Sequence, residues 1–315
     1  MTDGAVRMKR RVLIAGFGDV AVRTASLLTS RCRVYGIVRD AGPERLASLR
    51  ALGVVPVTAD LDDPASLSSL AGLAQDVLHF APPPAHGTRD TRTANLLAAL
   101  GRGGSLPRHI VYLSTSGVYG DCGGAVVSET RAVRPESGRA WRRADAERQV
   151  RAFARRTGVR VSILRVPGIY AADRLPLARL QAGTPTIVAA EDSYTNHVHA
   201  DDLARMVVSA LHGARTCRVY NASDDSDLKM GEWFDRIADD FGLPRPPRVP
   251  RAEVAGRVSP ALLSFMRESR RLTNTRIKRE LGFRLCYPTV SDGLLAARLA
   301  AAGIAPATRA DAAGR

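Results

Sequence analysis

The chain has 315 residues, 45% of them hydrophobic, and a formal net charge of +15 at pH 7. That much apolar material can bury a large core, which argues against disorder of the whole chain, and no run approaches the ~18 apolar residues of a membrane span. The charge is nearly all arginine, with only Lys9, Lys229 and Lys278 as lysine, and it is scattered beside alanine rather than gathered into a stripe; no nucleic-acid partner is expected.

Residues 1–10 are polar, and the apolar run after them is broken at Gly16 and Gly18 too early for a signal peptide, so a cytoplasmic protein is expected. That run, Arg11–Gly16, reads as a strand, followed by a helix at Val20–Ser30. Between them lies a Gly-x-Gly-x-x-Ala turn. Gly16 permits the tight bend, Gly18 lets the backbone approach a pyrophosphate, and Ala21 keeps helix and strand close. Gly16, Phe17, Gly18, Asp19 and Val20 are therefore candidate cofactor-binding residues, at a helix N-terminus suited to an anion.

A second strand, Arg33–Val38, ends at Arg39, where a dinucleotide-binding fold meets the adenosine ribose. A guanidinium there pairs with a 2′-phosphate and favours NADP; Asp40, one residue on, would favour NAD under a shifted register. A helix at Pro43–Leu52 and a strand at Val54–Ala59 follow. Asp60 and Leu61 close that strand, with Asp60 placed either to accept from an adenine amino group or to cap a helix at Pro64–Ala74. A strand at Asp76–Ala81 brings Ala81 and Pro82 to the nicotinamide end as backbone lining.

Further alternation follows in a helix at Thr91–Leu100, a strand at His109–Ser114, a helix at Arg139–Thr157 and a strand at Arg160–Arg165. This is the rhythm of a doubly wound parallel sheet, an α/β Rossmann-type fold. The seven arginines of 139–156 alternate with Asp145 and Glu147 and read as a solvated face. After Pro167 the rhythm gives way to short proline-rich elements of a smaller C-terminal substrate lobe. The expected division is 8–165 with 196–222 returning to it, 166–195 with 223–302 as the lobe, and 303–315 as a flexible tail. A helix at Ala200–His212 and a strand at Arg218–Asn221 belong to the return. His197, His199, Asp201 and Asp202 could suggest a metal, but their spacing suits a strand-to-helix junction capped by one of the aspartates, and no metal is expected. Trp233 and Phe234 recur at helical spacing and read as core. The cysteines at 32, 122, 217 and 286 form no ligand or disulfide pattern.

Beyond the glycine turn, the segments LSTSGVYG (113–120), LRVPGIY (164–170), NHVHADDLA (196–204) and NTRIKRELGF (274–283) resemble the extended short-chain dehydrogenase/reductase superfamily, in its NAD-dependent epimerase/dehydratase branch, across residues 11–300. The resemblance implies that Thr115 orients the substrate oxygen and that Pro167 joins the cofactor wall. Such proteins carry a catalytic tyrosine with a lysine four residues later. By the register of the helix Ser137 and Trp141 stand in those places, and no tyrosine in the chain has lysine four residues after it. A serine hydroxyl without a base is too weak an acid to replace an activated phenol, and indole neither carries charge nor titrates; Arg139 or Arg142 could supply charge, and Tyr119 could approach the site. The implied function is an NADP-dependent (or NAD-dependent) oxidoreductase or epimerase-like enzyme acting on a small molecule, with a degenerate catalytic site; the alternative is a non-catalytic NADP(H)-binding sensor or scaffold. A homodimer is left open.

Overall fold

In chain order the elements are β1 (Arg10–Ala15), α1 (Asp19–Leu28), β2 (Cys32–Val38), α2 (Pro43–Ala51), β3 (Val54–Thr58), β4 (Asp76–His79), α3 (Thr91–Leu100), β5 (His109–Thr115), β6 (Val126–Val127), α4 (Gly138–Thr157) and β7 (Arg160–Val166). The second half adds β8 (Gly168–Tyr170), α5 (Leu177–Gln181), β9 (Thr186–Ile187), β10 (Tyr194–Thr195), β11 (His197–His199), α6 (Ala200–Gly213), β12 (Arg218–Asn221) and β13 (Leu228–Lys229). It closes with α7 (Met230–Asp240), β14 (Arg248–Val249), α8 (Arg251–Val254), α9 (Pro260–Met266), β15 (Arg271–Leu272), α10 (Thr275–Leu281) and α11 (Val290–Ala301). This computed structural model describes residues 9–39, 41–213 and 216–304; Asp40 and most of the expected tail lie outside them.

Seven strands form one sheet in the order β3-β2-β1-β4-β5-β7-β12, and the pairs from β3 to β5 are parallel. The order reverses between β1 and β4, the crevice at which doubly wound sheets bind ligands. Apolar strands and the inner faces of α3 and α4 close a core that includes Leu13, Val77, Leu97, Tyr112, Val150 and Phe153. The expected helix over residues 64–74 does not form. Asp60 and Asp63 accept the amides of Asp62 and Ala65 at 3.0 Å each, and the Ser66 hydroxyl donates to the Asp63 carbonyl at 2.8 Å. These side chains offer the backbone turn partners that compete with a helix, and only a 3-10 turn at Ser68–Leu70 remains.

The chain divides into two units, 1–114 with 141–164 and 204–219, and 115–140 with 165–203 and 220–315. Residues 115–140 thus group with the second unit, whereas the sequence reading assigned them to the first. The second unit has its own core, in which Trp233 and Phe234 of α7 pack with Tyr170, Ile237, Met266 and Leu294. Helix α11 presses so closely on Tyr170 that a Cβ on Gly293 would lie 2.4 Å from Cε2 and 2.5 Å from the hydroxyl oxygen of that ring. Gly293→Ala is expected to lower stability by about 1–3 kcal/mol through overpacking. Urea denaturation checks this, and an unchanged midpoint would contradict the packing.

Candidate functional site

Gly16 has φ +93°, a conformation that L side chains rarely adopt, and its α-carbon lies against β4: a Cβ there would meet the Ala81 nitrogen at 2.3 Å. Gly18 differs. It is the N-cap of α1, its amide donates to the Gly16 carbonyl at 3.1 Å, and a Cβ on it would find nothing within 4 Å. No side chain caps this helix, so the positive end of α1 opens onto free space at the crossover of the sheet, where an anion is stabilised. The turn is braced from behind: the Phe17 ring lies where a Cβ on Gly36 would meet it at 2.6 Å, and the Phe17 carbonyl accepts from Arg45 at 2.6 Å. Asp19 accepts from Arg23 one turn along at 3.0 Å, which offsets its charge beside that opening. Val20 is buried in the α1 contact face.

Around this turn, Arg39 is exposed at the end of β2. The Asp60 carboxylate is engaged with the Asp62 amide, in a turn rather than a helix cap. Helix α3 holds the neighbouring loops through groups that carry no motif. Asn95 donates to the Leu61 carbonyl at 2.8 Å, and Arg92 donates to the Pro82 carbonyl at 3.1 Å while clasping both oxygens of Asp62. The Arg92 clasp, helped by Arg39, holds the Asp62 carboxyl below the usual carboxylate range. The Ala81 amide donates to the Ala15 carbonyl at 2.9 Å, joining the ends of β1 and β4.

Helix α4 divides its arginines by direction. Arg143 turns inward, with Nη1 donating to the Leu113 carbonyl at 2.8 Å, the Tyr112 hydroxyl at 3.1 Å and the Ala81 carbonyl at 3.4 Å. Burial pushes the Tyr112 phenol up to about 12, so it stays protonated at neutral pH. One turn further on, Glu147 is buried and accepts from the Ser114 hydroxyl at 2.7 Å. Arg148 is exposed and pairs with Asp145 at 3.0 Å, but Asp145 is itself buried and accepts the Asp90 amide at 2.8 Å, so the two acids of this helix face inward instead of belonging to the expected solvated face. Of the two positions singled out by sequence, Ser137 accepts from the Ala140 amide at 3.3 Å at the start of the helix, and Trp141 is 46% exposed. Tyr119 is committed elsewhere, with its hydroxyl donating to Asn221 Oδ1 at 2.7 Å and the Arg165 guanidinium 4.6 Å over its ring.

Within the second unit a cavity of about 630 Å³ opens beside β8, β10 and β11. Thr115, Arg139 and Pro167 line it, while the Thr115 hydroxyl also accepts from the Gly117 amide at 3.2 Å. Its aromatic wall is Tyr170, Tyr194, His197, Trp233, Phe234 and Phe265. The His197 and Trp233 rings stack with centroids 4.3 Å apart, and Tyr170 meets Trp233 edge-on at 5.4 Å. Burial among these rings drives His197 down to about 3, so the imidazole is neutral. His199 Nδ1 accepts from the Asp201 amide at 3.3 Å, and Asp202 accepts the amides of Cys286 and Tyr287 at 3.0 and 2.8 Å. Among the described residues no group of histidine, cysteine and carboxylate side chains could hold a metal ion, and no helix is long and apolar enough to cross a membrane.

The sheet order and the glycine turn at its crossover define a Rossmann-type dinucleotide-binding fold. The chain belongs to the NAD dependent epimerase/dehydratase family, whose model matches residues 21–223. It is similar in structure to a functionally unknown conserved protein from Silicibacter pomeroyi DSS, 28% identical with a TM-score of 0.77, over 95% of this chain and 100% of that one. A dTDP-glucose 4,6-dehydratase from Streptomyces venezuelae, solved with NAD bound, is 22% identical with a TM-score of 0.73, over 91% of this chain and 95% of that one. The UDP-glucuronic acid 4-epimerase of Bacillus cereus, also with NAD, is 19% identical with a TM-score of 0.71, over 90% and 96% of the two chains. No protein of curated function matches.

Proposed function

We propose that the protein is an NAD(P)-dependent oxidoreductase or epimerase-like enzyme that binds NADP through Gly16–Val20, Arg39, Asp60, Leu61, Ala81 and Pro82, and takes a small-molecule substrate in the cavity lined by Thr115. The observation that carries the reading is the uncapped N-terminus of α1, with open space in front of Gly18, at the crossover of the sheet. The residues fit a dinucleotide: amides and a helix end for a pyrophosphate, and a guanidinium at the end of β2 for a 2′-phosphate. When bound, the nicotinamide ring supplies hydride donation or acceptance.

The positions equivalent to the tyrosine and lysine of related enzymes are, in this proposal, Arg139 and Arg143, two residues later than Ser137 and Trp141. They keep the four-residue spacing; Arg143 is anchored at the ends of β4 and β5, Arg139 lines the cavity, and Trp141 is exposed. A guanidinium keeps its charge at every working pH, so this pair holds and stabilises negative charge where a phenol would pass a proton. Thr115 supplies a hydroxyl to the substrate.

Fluorescence titration with NADPH and NADH tests the cofactor choice. NADPH is expected to bind the tighter, and Arg39→Asp to weaken NADPH at least ten-fold with little effect on NADH; tighter NADH binding by the unaltered protein overturns the preference. The absence of a Tyr-x-x-x-Lys pair favours a second reading, a non-catalytic NADP(H) sensor. Oxidation of bound NADPH across a carbonyl and nucleotide-sugar panel separates the two: turnover lost in Thr115→Ala removes the sensor, and tight binding with no turnover removes the enzyme.

A further inference from the structure

The cavity of the second unit has an unusual balance of surfaces. Arg139, Arg174, Arg179 and Arg270 line it against a single carboxylate, Glu268, a formal balance of +3. The carboxylate is spent internally, since Glu268 is paired at 2.7 Å with the buried Arg270. The guanidinium of Arg139 sits 4.5 Å over the exposed Phe265 ring, which places a positive charge directly beside an apolar face. Deeper in, the surface is ring after ring, from His197 and Trp233 to Tyr170 and Phe234.

Asn196 is used at both ends, donating to the Arg270 carbonyl at 2.9 Å and accepting from the Leu272 amide at 2.7 Å. Thr115, Ser116, Thr195, Tyr170 and Tyr194 bring the hydroxyls of the wall, and that of Tyr170 already donates to the Thr289 carbonyl at 3.3 Å. A sugar ring desolvated against the faces of the aromatic rings would leave the hydroxyls on that side unpaired at a cost for each. Two buried polar atoms of the same wall lack a protein partner: Nδ1 of His197, a residue 5% exposed, and Nε of Arg270, a residue 7% exposed.

We infer that this cavity takes a compact carboxylic acid with an aromatic body, the ring lying against Trp233, His197 and Tyr170 and the carboxylate drawn to Arg139. The inference rests on the proposal that the cavity is the substrate site, and it names the class of that substrate. Arg139 is its specificity-determining residue. A guanidinium gives a carboxylate a charge-assisted bidentate contact that a neutral amide cannot match, and the neutral imidazole of His197 stacks on a ring without adding a second charge.

The test uses 3-phenylpropionate and its neutral isostere 3-phenylpropionamide, with UDP-glucuronic acid as the nucleotide-sugar comparison. The chain has two tryptophans, so Trp141→Phe leaves Trp233 as the sole indole reporter. The acid is expected to change Trp233 emission and to bind at least ten-fold tighter than the amide. Arg139→Met should bring the two affinities to within about two-fold by weakening the acid alone, and an unchanged amide affinity shows that the cavity is intact. Equal affinities in the unaltered protein, binding of neither probe, or binding of UDP-glucuronic acid with no response to the acid each overturns the inference. NADPH affinity, read from its own fluorescence in the same samples, reports separately on the proposed cofactor site. Its loss undoes the proposed function and leaves the result for the cavity standing.

Discussion

Gly16→Ala is expected to cost about 2–5 kcal/mol of stability and to abolish dinucleotide binding. Two penalties coincide at this position. The backbone sits at φ +93°, where a Cβ clashes with its own peptide at a cost of roughly 1–2 kcal/mol. The new Cβ would also meet the nitrogen and α-carbon of Ala81 at 2.3 and 2.5 Å. Those are backbone atoms of the adjoining chain, tied by the Ala81 amide to the Ala15 carbonyl, so they cannot swing aside as a side-chain tip would, and overpacking adds a further 1–3 kcal/mol or so. Gly18→Ala is the informative partner. Its Cβ would meet no protein atom within 4 Å, so its thermal midpoint should stay within a degree or two of the unaltered protein while NADPH affinity falls ten-fold or more, because the methyl group fills the space the pyrophosphate needs. Circular dichroism melts and NADPH titrations check both. A Gly18→Ala protein that binds NADPH as tightly as the unaltered chain would remove the glycine turn from the cofactor site.

The contrast between these glycines shows what the sequence makes legible. Both stand in one short motif, whose context of strand, turn and helix follows from apolar period alone, and β1, β2, α3, β12 and most other elements of the sheet lie within a residue or two of where that period places them. Periodicity cannot see side chains that bond locally, which is why Asp60, Asp63 and Ser66 turned an expected helix into a run of turns. Nor can it see direction around a helix whose residues are nearly all charged. Along 139–156 arginine occurs at almost every turn, so a solvated face and an inward-pointing Arg143 look the same in the sequence. Only the three acceptors at the ends of β4 and β5 separate Arg143 from Arg148. One signal was within reach: Glu147, with Arg143 four residues before it and Arg139 four before that, gives a repeat on one face, and it places charged residues two positions away from Ser137 and Trp141. The arginines at 45 and 92 carry no comparable signal, because Arg45 acts on a backbone carbonyl, which any sequence possesses, and Arg92 on a carbonyl and on a carboxylate distant in the chain.

Asp224→Asn is expected to make the protein more stable, by a margin that opens as pH rises from about 4 to 7 and is constant above that. Asp224 follows β12 and is 3% exposed; its Oδ1 accepts from the Ser226 amide at 3.0 Å, while Oδ2 has no partner. Burial, opposed by the Ser226 hydrogen bonds and reinforced by Asp225 and Asp202, raises its carboxyl from 3.8 to about 7. A raised carboxyl means that the folded chain holds a proton which the unfolded chain has already released between pH 4 and 7. The protonated group therefore contributes its full stability below about pH 4, and that contribution is lost as pH rises through 7. At about 1.4 kcal/mol per unit, the span of some three units sets an upper bound of about 4 kcal/mol on what ionising Asp224 costs the fold at pH 8. Asparagine keeps an acceptor for the Ser226 amide and cannot ionise; its amide nitrogen takes the place of an oxygen that was already unpaired. At pH 4, where only about half of the unfolded chains have released the proton, the variant should lie within about 1 kcal/mol of the unaltered protein. At pH 8 its urea midpoint should be clearly the higher of the two, by 1–4 kcal/mol or so in free energy. Midpoints measured at intervals from pH 4 to 8.5 decide the matter: the two curves should separate from about pH 4 and run parallel only above about pH 7, and curves parallel over the whole range would show that Asp224 ionises in the fold at its ordinary pH.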